Sequence, residues 1–127
     1  MARILVADDE EAIRNLVGRA LKQDGHDVVT ANDGAEALDA LVREKSGFDL
    51  LLTDIRMPMM DGIALALAAA RDHPAVTILL MTGYADQRER AYGLEALIHD
   101  VLTKPFSLAS LRTAVNKALG GQQRRAN

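Results

Sequence analysis

Cysteine is absent from the sequence, and aromatic side chains make up only 3% of it. Without cysteine the chain can form no disulfide and offers no thiolate, so any metal site would use oxygen or histidine ligands. The three histidines, His26, His73 and His99, lie in different segments without the spacing of a zinc site. Because aromatic residues are scarce, a stacking platform for single-stranded nucleic acid is disfavoured as well.

Long apolar runs and long basic runs are also missing. No apolar stretch approaches the ~18 to 20 residues that a membrane span requires, and Met1 is not followed by a charged and then apolar leader. The 18 acidic and 15 basic side chains give a formal charge of −3, with no basic run that could follow a nucleic-acid backbone. We therefore expect a cytoplasmic protein that binds neither membrane nor nucleic acid directly.

Short apolar runs alternate with longer segments of helical period. The runs predict strands at residues 4–7, 27–30, 50–53, 77–81 and 101–103. Helices are predicted at residues 12–23, from a cap at Asp33 to before Gly47, from after Gly62 to before Pro74, at about 86–98, and from Ser107 to the Gly120-Gly121 pair. This alternation predicts an α/β fold in which a doubly wound parallel sheet of five strands is covered by helices on both faces. One domain of residues 1–121 and a flexible tail of residues 122–127 are expected.

Polar residues follow four of the five apolar runs. Asp8 and Asp9 follow the first run, Asp54 the third, Thr82 the fourth and Lys104 the fifth. Because the carboxyl ends of parallel strands meet at one edge of such a sheet, where ligands bind, we expect these side chains to converge.

Three carboxylates at one edge would repel each other strongly unless a cation lay between them. Oxygen ligands favour Mg²⁺ or Ca²⁺, and so few carboxylates fit Mg²⁺ that keeps several waters and a phosphate oxygen. An alternative is that the acidic residues 8–11 merely stabilise the start of the first helix. Four acids at that turn would repel the phosphate of a flavin or dinucleotide, which argues against such a cofactor site.

Four sequence blocks in this order and at these spacings resemble the response-regulator receiver family, of the CheY-like kind. The blocks are residues 4–10 (ILVADDE), 51–62 (LLTDIRMPMMDG), 81–85 (MTGYA) and 102–106 (LTKPF). The resemblance covers nearly the whole chain. It implies a flavodoxin-like receiver fold with strand order 2-1-3-4-5.

The resemblance also implies a chemistry for these residues. Asp54 would accept a phosphoryl group from a sensor histidine kinase or a histidine phosphotransfer protein. Mg²⁺ would be held by Asp8, Asp9, Asp54 and the backbone carbonyl of Arg56.

By the same resemblance, Thr82 and Lys104 would contact phosphoryl oxygens, and the Lys104-Pro105 peptide would be cis. Phosphorylation would change a docking face on the fourth helix, fifth strand and fifth helix, where a partner protein binds.

The chain departs from the family pattern at two places. Val101 stands where the family usually has an aromatic residue coupled to the hydroxyl of Thr82, and Gly83 stands where alanine is common. Tyr84 is then the nearest aromatic candidate, and both Arg56 and Tyr84 occupy positions at which the family tunes phosphoryl lifetime. The pattern at these positions is similar to the CpdR-like group, which gates proteolysis in bacterial cell-cycle control, so a protease adaptor target is one expected partner.

The resulting expectation is a single-domain response regulator without an output domain, which is no enzyme beyond accepting and hydrolysing its own phosphoryl group. Two alternatives stay open. A receiver-shaped interaction domain could work without phosphorylation. An aspartyl-phosphate phosphatase would need an acid or base two residues after its nucleophile, where this chain has Arg56.

Overall fold

The computed structural model describes residues 2–44, 47–84, 89–91 and 93–126, and of residues 121–126 the backbone alone. Five strands lie within these ranges: β1 (Arg3–Ala7), β2 (Asp27–Ala31), β3 (Leu50–Asp54), β4 (Thr77–Thr82) and β5 (Asp100–Thr103). The helices are α1 (Glu11–Gln23), α2 (Gly34–Arg43), α3 (Gly62–Asp72) and the C-terminal helix α4 (Leu108–Ala126), which is the fifth predicted helix.

The strands form one parallel sheet in the order β2-β1-β3-β4-β5. This confirms the predicted fold class and strand order. Since β1, β3 and β4 occupy the centre, their apolar residues are covered from both sides, and every residue of β3 is buried.

Two apolar layers, one on each face of the sheet, form the core. Alternate residues of each strand point to opposite faces, so Ile4 and Leu5 belong to different layers. One layer packs against α2 and α3, through residues such as Leu41 and Leu65. The other packs against α1 and α4, through residues such as Leu21. The two layers hold the carboxyl ends of the central strands in fixed positions.

Local side-chain hydrogen bonds determine where two helices begin. Asp33 accepts a hydrogen bond from the backbone N–H of Glu36 at 2.8 Å, which confirms the predicted cap of α2. Asp61 accepts from the N–H of Ala64 at 2.9 Å and caps α3. The sequence prediction had started this helix one residue later, after Gly62.

The C-terminal helix differs from its prediction. We expected it to end at Gly120-Gly121, but α4 continues through both glycines to Ala126. Glycine costs a helix interior only about 1 kcal/mol relative to alanine, so it ends a helix only where the chain also adopts a capping conformation. A separate tail of residues 122–127 stays a prediction.

The predicted fourth helix, at about 86–98, falls partly on residues 86–88 and 92, which lie outside the described residues. Its described part has helical backbone at residues 89–91 and successive turns at residues 93–97. The backbone N–H of Ile98 donates to the carbonyl of Leu94 at 3.1 Å, as in a helical turn.

In the part of the chain that the structure describes, no helix is long and apolar enough to cross a membrane.

Candidate functional site

The predicted site residues lie at the carboxyl ends of four neighbouring strands. Asp54 and Thr82 are the last residues of β3 and β4, one position further along each strand than predicted. Asp8 follows β1 directly, and Lys104 follows β5 directly. Because these strands are parallel and adjacent, their ends bring the four side chains to one edge of the sheet.

Three carboxylates form the acidic part of this site. One oxygen from each of Asp8, Asp9 and Asp54 can be chosen so that all three lie within 4.8 Å of one another. Asp8 is fully buried and Asp54 nearly so, whereas Asp9 is exposed. Burial raises the pKa of Asp54 to about 6, and the charges of Asp8 and Asp9 act in the same direction against the attraction of Lys104. The ionised form of Asp54 is thus disfavoured in the folded protein, and a nearby cation would stabilise it. A cluster of hard carboxylate oxygen atoms suits a small divalent cation.

Lys104 supplies the positive charge. Its Nζ donates a hydrogen bond to Oδ2 of Asp8 at 2.8 Å and lies 3.5 Å from Oδ1 of Asp54. Burial tends to lower the pKa of Lys104, but the hydrogen bond to Asp8 and the negative charge of Asp54 outweigh it and raise that pKa. The ammonium is therefore charged and held between two carboxylates. The Lys104-Pro105 peptide is cis, as the resemblance implied.

Asp8 is held by its own turn and does not cap α1. Its Oδ1 accepts a hydrogen bond from the backbone N–H of Glu10 at 2.9 Å, and its carbonyl accepts from Nη1 of Arg14 at 2.8 Å. The N-cap of α1 is Glu10, whose side chain makes no capping hydrogen bond. Capping of α1 therefore does not account for the position of Asp8, although Glu11 does lie in the first turn of the helix.

The backbone around Asp54 is tightly constrained. The N–H of Ile55 donates both to Oδ1 of Asp54 at 3.0 Å and to the carbonyl of Met81 at 3.1 Å. A Cβ on Gly62 would overlap the carbonyl oxygen of Asp54. The φ of Gly62 is not positive, so the close approach of the chain, and not a left-handed backbone, explains the glycine.

The hydroxyl of Thr82 faces its own loop. Its Oγ1 accepts a hydrogen bond from the N–H of Tyr84 at 3.1 Å and lies 3.5 Å from the carbonyl of Tyr84, to which it donates. Thr82 thus stands beside the acidic cluster, since Met81 pairs with Asp54 across the sheet, but its hydroxyl is engaged elsewhere.

Sequence analysis did not identify one contact at this edge. The guanidinium of Arg56 lies over the ring of Tyr84, with Cζ 4.8 Å from the ring centroid. Arg56 lies two residues after Asp54, and Tyr84 lies two residues after Thr82, on segments that leave adjacent strands. That matched offset is the signal that could have predicted the contact.

A cleft of about 540 Å³ opens beside Asp54 and Lys104. One wall carries Glu10 and the apolar side chains of Ile13 and Leu16 from α1, and Leu16 is 46% exposed. The cleft gives a small anionic group access to the buried carboxylate from solvent.

Known proteins are similar to this chain in sequence and in fold. The sequence profile of the response regulator receiver domain matches residues 4–116. The chain is 37% identical over 117 residues to the alkaline phosphatase synthesis transcriptional regulatory protein PhoP of Bacillus subtilis, covering 92% of this chain and 48% of that protein. It is 36% identical over 117 residues to response regulator MprA of Mycobacterium leprae, covering 92% of this chain and 50% of that one. The chain thus spans about half the length of these curated relatives.

A solved structure shares the whole fold. The CheY-like response regulator receiver domain protein of Methanospirillum hungatei aligns over 98% of both chains with a TM-score of 0.90 and 29% identity. The sequence profile, the relatives and the architecture indicate the same family. The chain belongs to the response regulator receiver domain family and is a receiver domain of two-component signalling.

Proposed function

We propose that this chain accepts a phosphoryl group on Asp54 with the help of Mg²⁺. The observation that carries the proposal is the position of Asp54, whose carboxylate lies beside two further carboxylates and 3.5 Å from the ammonium of Lys104, at the mouth of an open cleft. In-line phosphoryl transfer to a carboxylate requires cations that neutralise negative charge on the transferred group. Lys104 is one such cation, and an ion held by the acidic cluster would be the other.

The carboxylates fit the metal. Hard oxygen ligands in a partly buried cluster favour Mg²⁺, and the raised pKa of Asp54 reflects burial and like charges that a cation would relieve. Asp8, Asp9 and Asp54 would hold the ion, with the carbonyl of Arg56 as a further ligand. When bound, Mg²⁺ supplies charge neutralisation for the phosphoryl oxygens.

The chain's own groups then have distinct tasks. An oxygen of Asp54 forms a bond to phosphorus while the bond between phosphorus and the imidazole nitrogen of the donor breaks, and the imidazole leaves with that electron pair. Lys104 stabilises negative charge on a phosphoryl oxygen. The hydroxyl of Thr82 donates to another oxygen after turning away from Tyr84, to which it is now bonded.

We propose no activity of this chain on external substrates. A phosphatase would need a proton donor or acceptor two residues after its nucleophile. Arg56 occupies that position, and a guanidinium does not give up its proton at physiological pH. We therefore propose that the only reactions are acceptance of the phosphoryl group and its hydrolysis.

The donor is proposed to be a sensor histidine kinase or a histidine phosphotransfer protein, in the cytoplasm. The output is proposed to be binding of a partner protein to a face built from the segment before β5, β5 itself and α4. A protease adaptor target is the partner that the CpdR-like resemblance implies. Although one relative is named a transcriptional regulatory protein, this chain covers only about half of it, and we propose no direct contact of this domain with nucleic acid.

The test is incubation with Mg²⁺ and acetyl phosphate, followed by intact-mass measurement. The wild-type protein should gain the mass of one phosphoryl group, and Asp54→Asn should gain none. Asp72→Asn removes a carboxylate from the far end of α3 and is the matched control, which should behave as the wild type. Absence of any added mass in the wild type would instead favour a receiver-shaped interaction domain that works without phosphorylation.

A further inference from the structure

One hydroxyl connects the acidic site to a solvent-exposed ring. Thr82 is fully buried, and its Oγ1 is bonded to both the N–H and the carbonyl of Tyr84. Within the described residues these are the hydrogen bonds of this hydroxyl. A threonine hydroxyl has one proton to donate, so it cannot donate to the carbonyl of Tyr84 and to a group on Asp54 at the same time.

The ring of Tyr84 in turn is stacked on Arg56. The ring is 50% exposed, Arg56 is exposed, and their separation of 4.8 Å is typical of a cation–π contact. The pair bridges the loops that leave β3 and β4, so each partner is attached within two residues to a side chain of the site. Short backbone segments therefore connect Asp54 and Thr82 to this pair.

No comparable ring is present on the neighbouring strand. Residues 100–103 of β5 are Asp, Val, Leu and Thr. Val101 pairs with Leu80 and packs, partly buried, against the apolar layer that includes Ile78 and Leu80. A valine has no ring that could turn inward. Among the described residues, the aromatic residue whose backbone is hydrogen-bonded to the Thr82 hydroxyl is Tyr84.

We infer that Tyr84 and Arg56 together report the phosphoryl state of Asp54. When the hydroxyl of Thr82 turns to donate to the phosphoryl group, the backbone of Tyr84 loses both hydrogen bonds, and the ring leaves the guanidinium of Arg56. An exposed ring and a cation then become available to a partner beside the cleft. The inference rests on the proposed phosphorylation of Asp54 and adds how that event reaches the surface.

The same linkage predicts the effect of weakening the stack. If the stacked form binds a phosphoryl group less well, removing the ring shifts the population toward the form that binds it. Tyr84→Leu keeps an apolar side chain and changes no charge, and it should tighten binding of beryllofluoride roughly two- to five-fold, the range of one exposed cation–π contact. Arg56→Met also changes a charge near the site. Its effect on beryllofluoride affinity is therefore measured in both the wild-type and the Tyr84→Leu protein, and the difference between the two effects is the part that depends on the ring.

Tyrosine fluorescence gives a direct measurement, because the chain has no tryptophan and only two tyrosines, Tyr84 and Tyr92. In Tyr92→Phe the emission comes from Tyr84 alone. Quenching by acrylamide should rise when Mg²⁺ and beryllofluoride are added, and not with Mg²⁺ alone. Fluorine NMR on the same sample reports whether beryllofluoride is bound. Thr82→Val should show no rise in quenching even at a beryllofluoride concentration at which fluorine NMR shows that the ligand is bound, and Thr82→Ser should restore the rise.

The outcomes separate the two proposals. Bound beryllofluoride with unchanged quenching of Tyr84 would overturn the reporter role and leave phosphorylation of Asp54 intact. A rise that persists in Thr82→Val would show that the hydroxyl is not the connection. If no beryllofluoride binds to the Tyr92→Phe protein or to the wild type, the proposed function fails and this inference fails with it.

Discussion

Replacing Asp54 by asparagine is expected to stabilise the metal-free protein. Burial raises the pKa of Asp54 to about 6 from an ordinary value of 3.8, and this result already includes the attraction of Lys104. At about 1.4 kcal/mol for each tenfold change in acid strength, keeping the carboxylate ionised at neutral pH costs the folded state about 3 kcal/mol. Asparagine has nearly the same shape and can still accept the hydrogen bond from Ile55, so it should recover a free energy of this order.

The pH dependence provides a second check on the same reasoning. Below about pH 4 the carboxyl is protonated in both the folded and the unfolded chain, so the wild type and Asp54→Asn should then differ little. Between about pH 4 and pH 6 the unfolded chain loses this proton while the folded protein keeps it, and the wild type loses stability as the pH rises. Above about pH 6 the difference between the two proteins should stay constant.

The assay is urea denaturation in the presence of a chelator, followed by circular dichroism because the chain lacks tryptophan. At pH 7.5 the free energy of unfolding of Asp54→Asn should exceed that of the wild type by about 3 kcal/mol. In a separate thermal scan its melting temperature should be higher by roughly 10 °C. Adding Mg²⁺ should narrow the gap, because a bound cation stabilises the wild type more. Asp61→Asn is the control of opposite sign. Burial tends to raise the pKa of Asp61, but hydrogen bonds from Ala64 and Arg90 outweigh it and lower that pKa, so this substitution should destabilise.

Equal stability of Asp54→Asn and the wild type at pH 7.5 without metal would refute the argument. So would a difference that does not shrink as the pH falls to 4. Either result would mean that the carboxylate is hydrated or otherwise compensated in the folded protein.

Three further predictions concern backbone packing, helix capping and buried charge, and each is checked by denaturant unfolding. Gly62→Ala should destabilise the protein by roughly 2–3 kcal/mol, because the added Cβ would overlap the backbone of β3. Gly120→Ala should stabilise α4 by about 1 kcal/mol, because its added Cβ would have no other atom within 4 Å. If Gly120→Ala were the more destabilising change, the close approach at Gly62 would be contradicted. Asp33→Ala should lose about 1 kcal/mol with the cap of α2, and an unchanged stability would show that the cap contributes nothing. Lys104→Met should lower the free energy of unfolding by roughly 3 kcal/mol, because it leaves the fully buried carboxylate of Asp8 without its cation. Adding Asp8→Asn to this variant should restore most of that free energy. A double variant as unstable as Lys104→Met would argue against the ion pair.

Much of the fold could be predicted from the sequence because the relevant patterns are local. Alternation of short apolar runs with helical periods identifies strands and helices, and parallel strands necessarily bring their carboxyl ends to one edge. The convergence of Asp8, Asp54 and Lys104 follows from that rule. Strand ends were predicted to within one residue, since β1 through β5 each extend one position beyond the apolar run at one end.

The end of α4 could not be predicted in the same way. Gly120 and Gly121 permit a helix to end but do not force it, and the outcome depends on whether the chain beyond them has a more favourable conformation. The glycine signal therefore indicated the wrong boundary.

The sequence by itself determined which residues reach the acidic edge and which charges meet there, because topology alone brings them together. Only the tertiary structure decided how those side chains are oriented: that the hydroxyl of Thr82 bonds to Tyr84, that Tyr84 stacks on Arg56, and that Lys104 lies closer to Asp8 than to Asp54. Distances of this kind depend on loop conformation and on packing between segments far apart in the chain, and no local pattern encodes them.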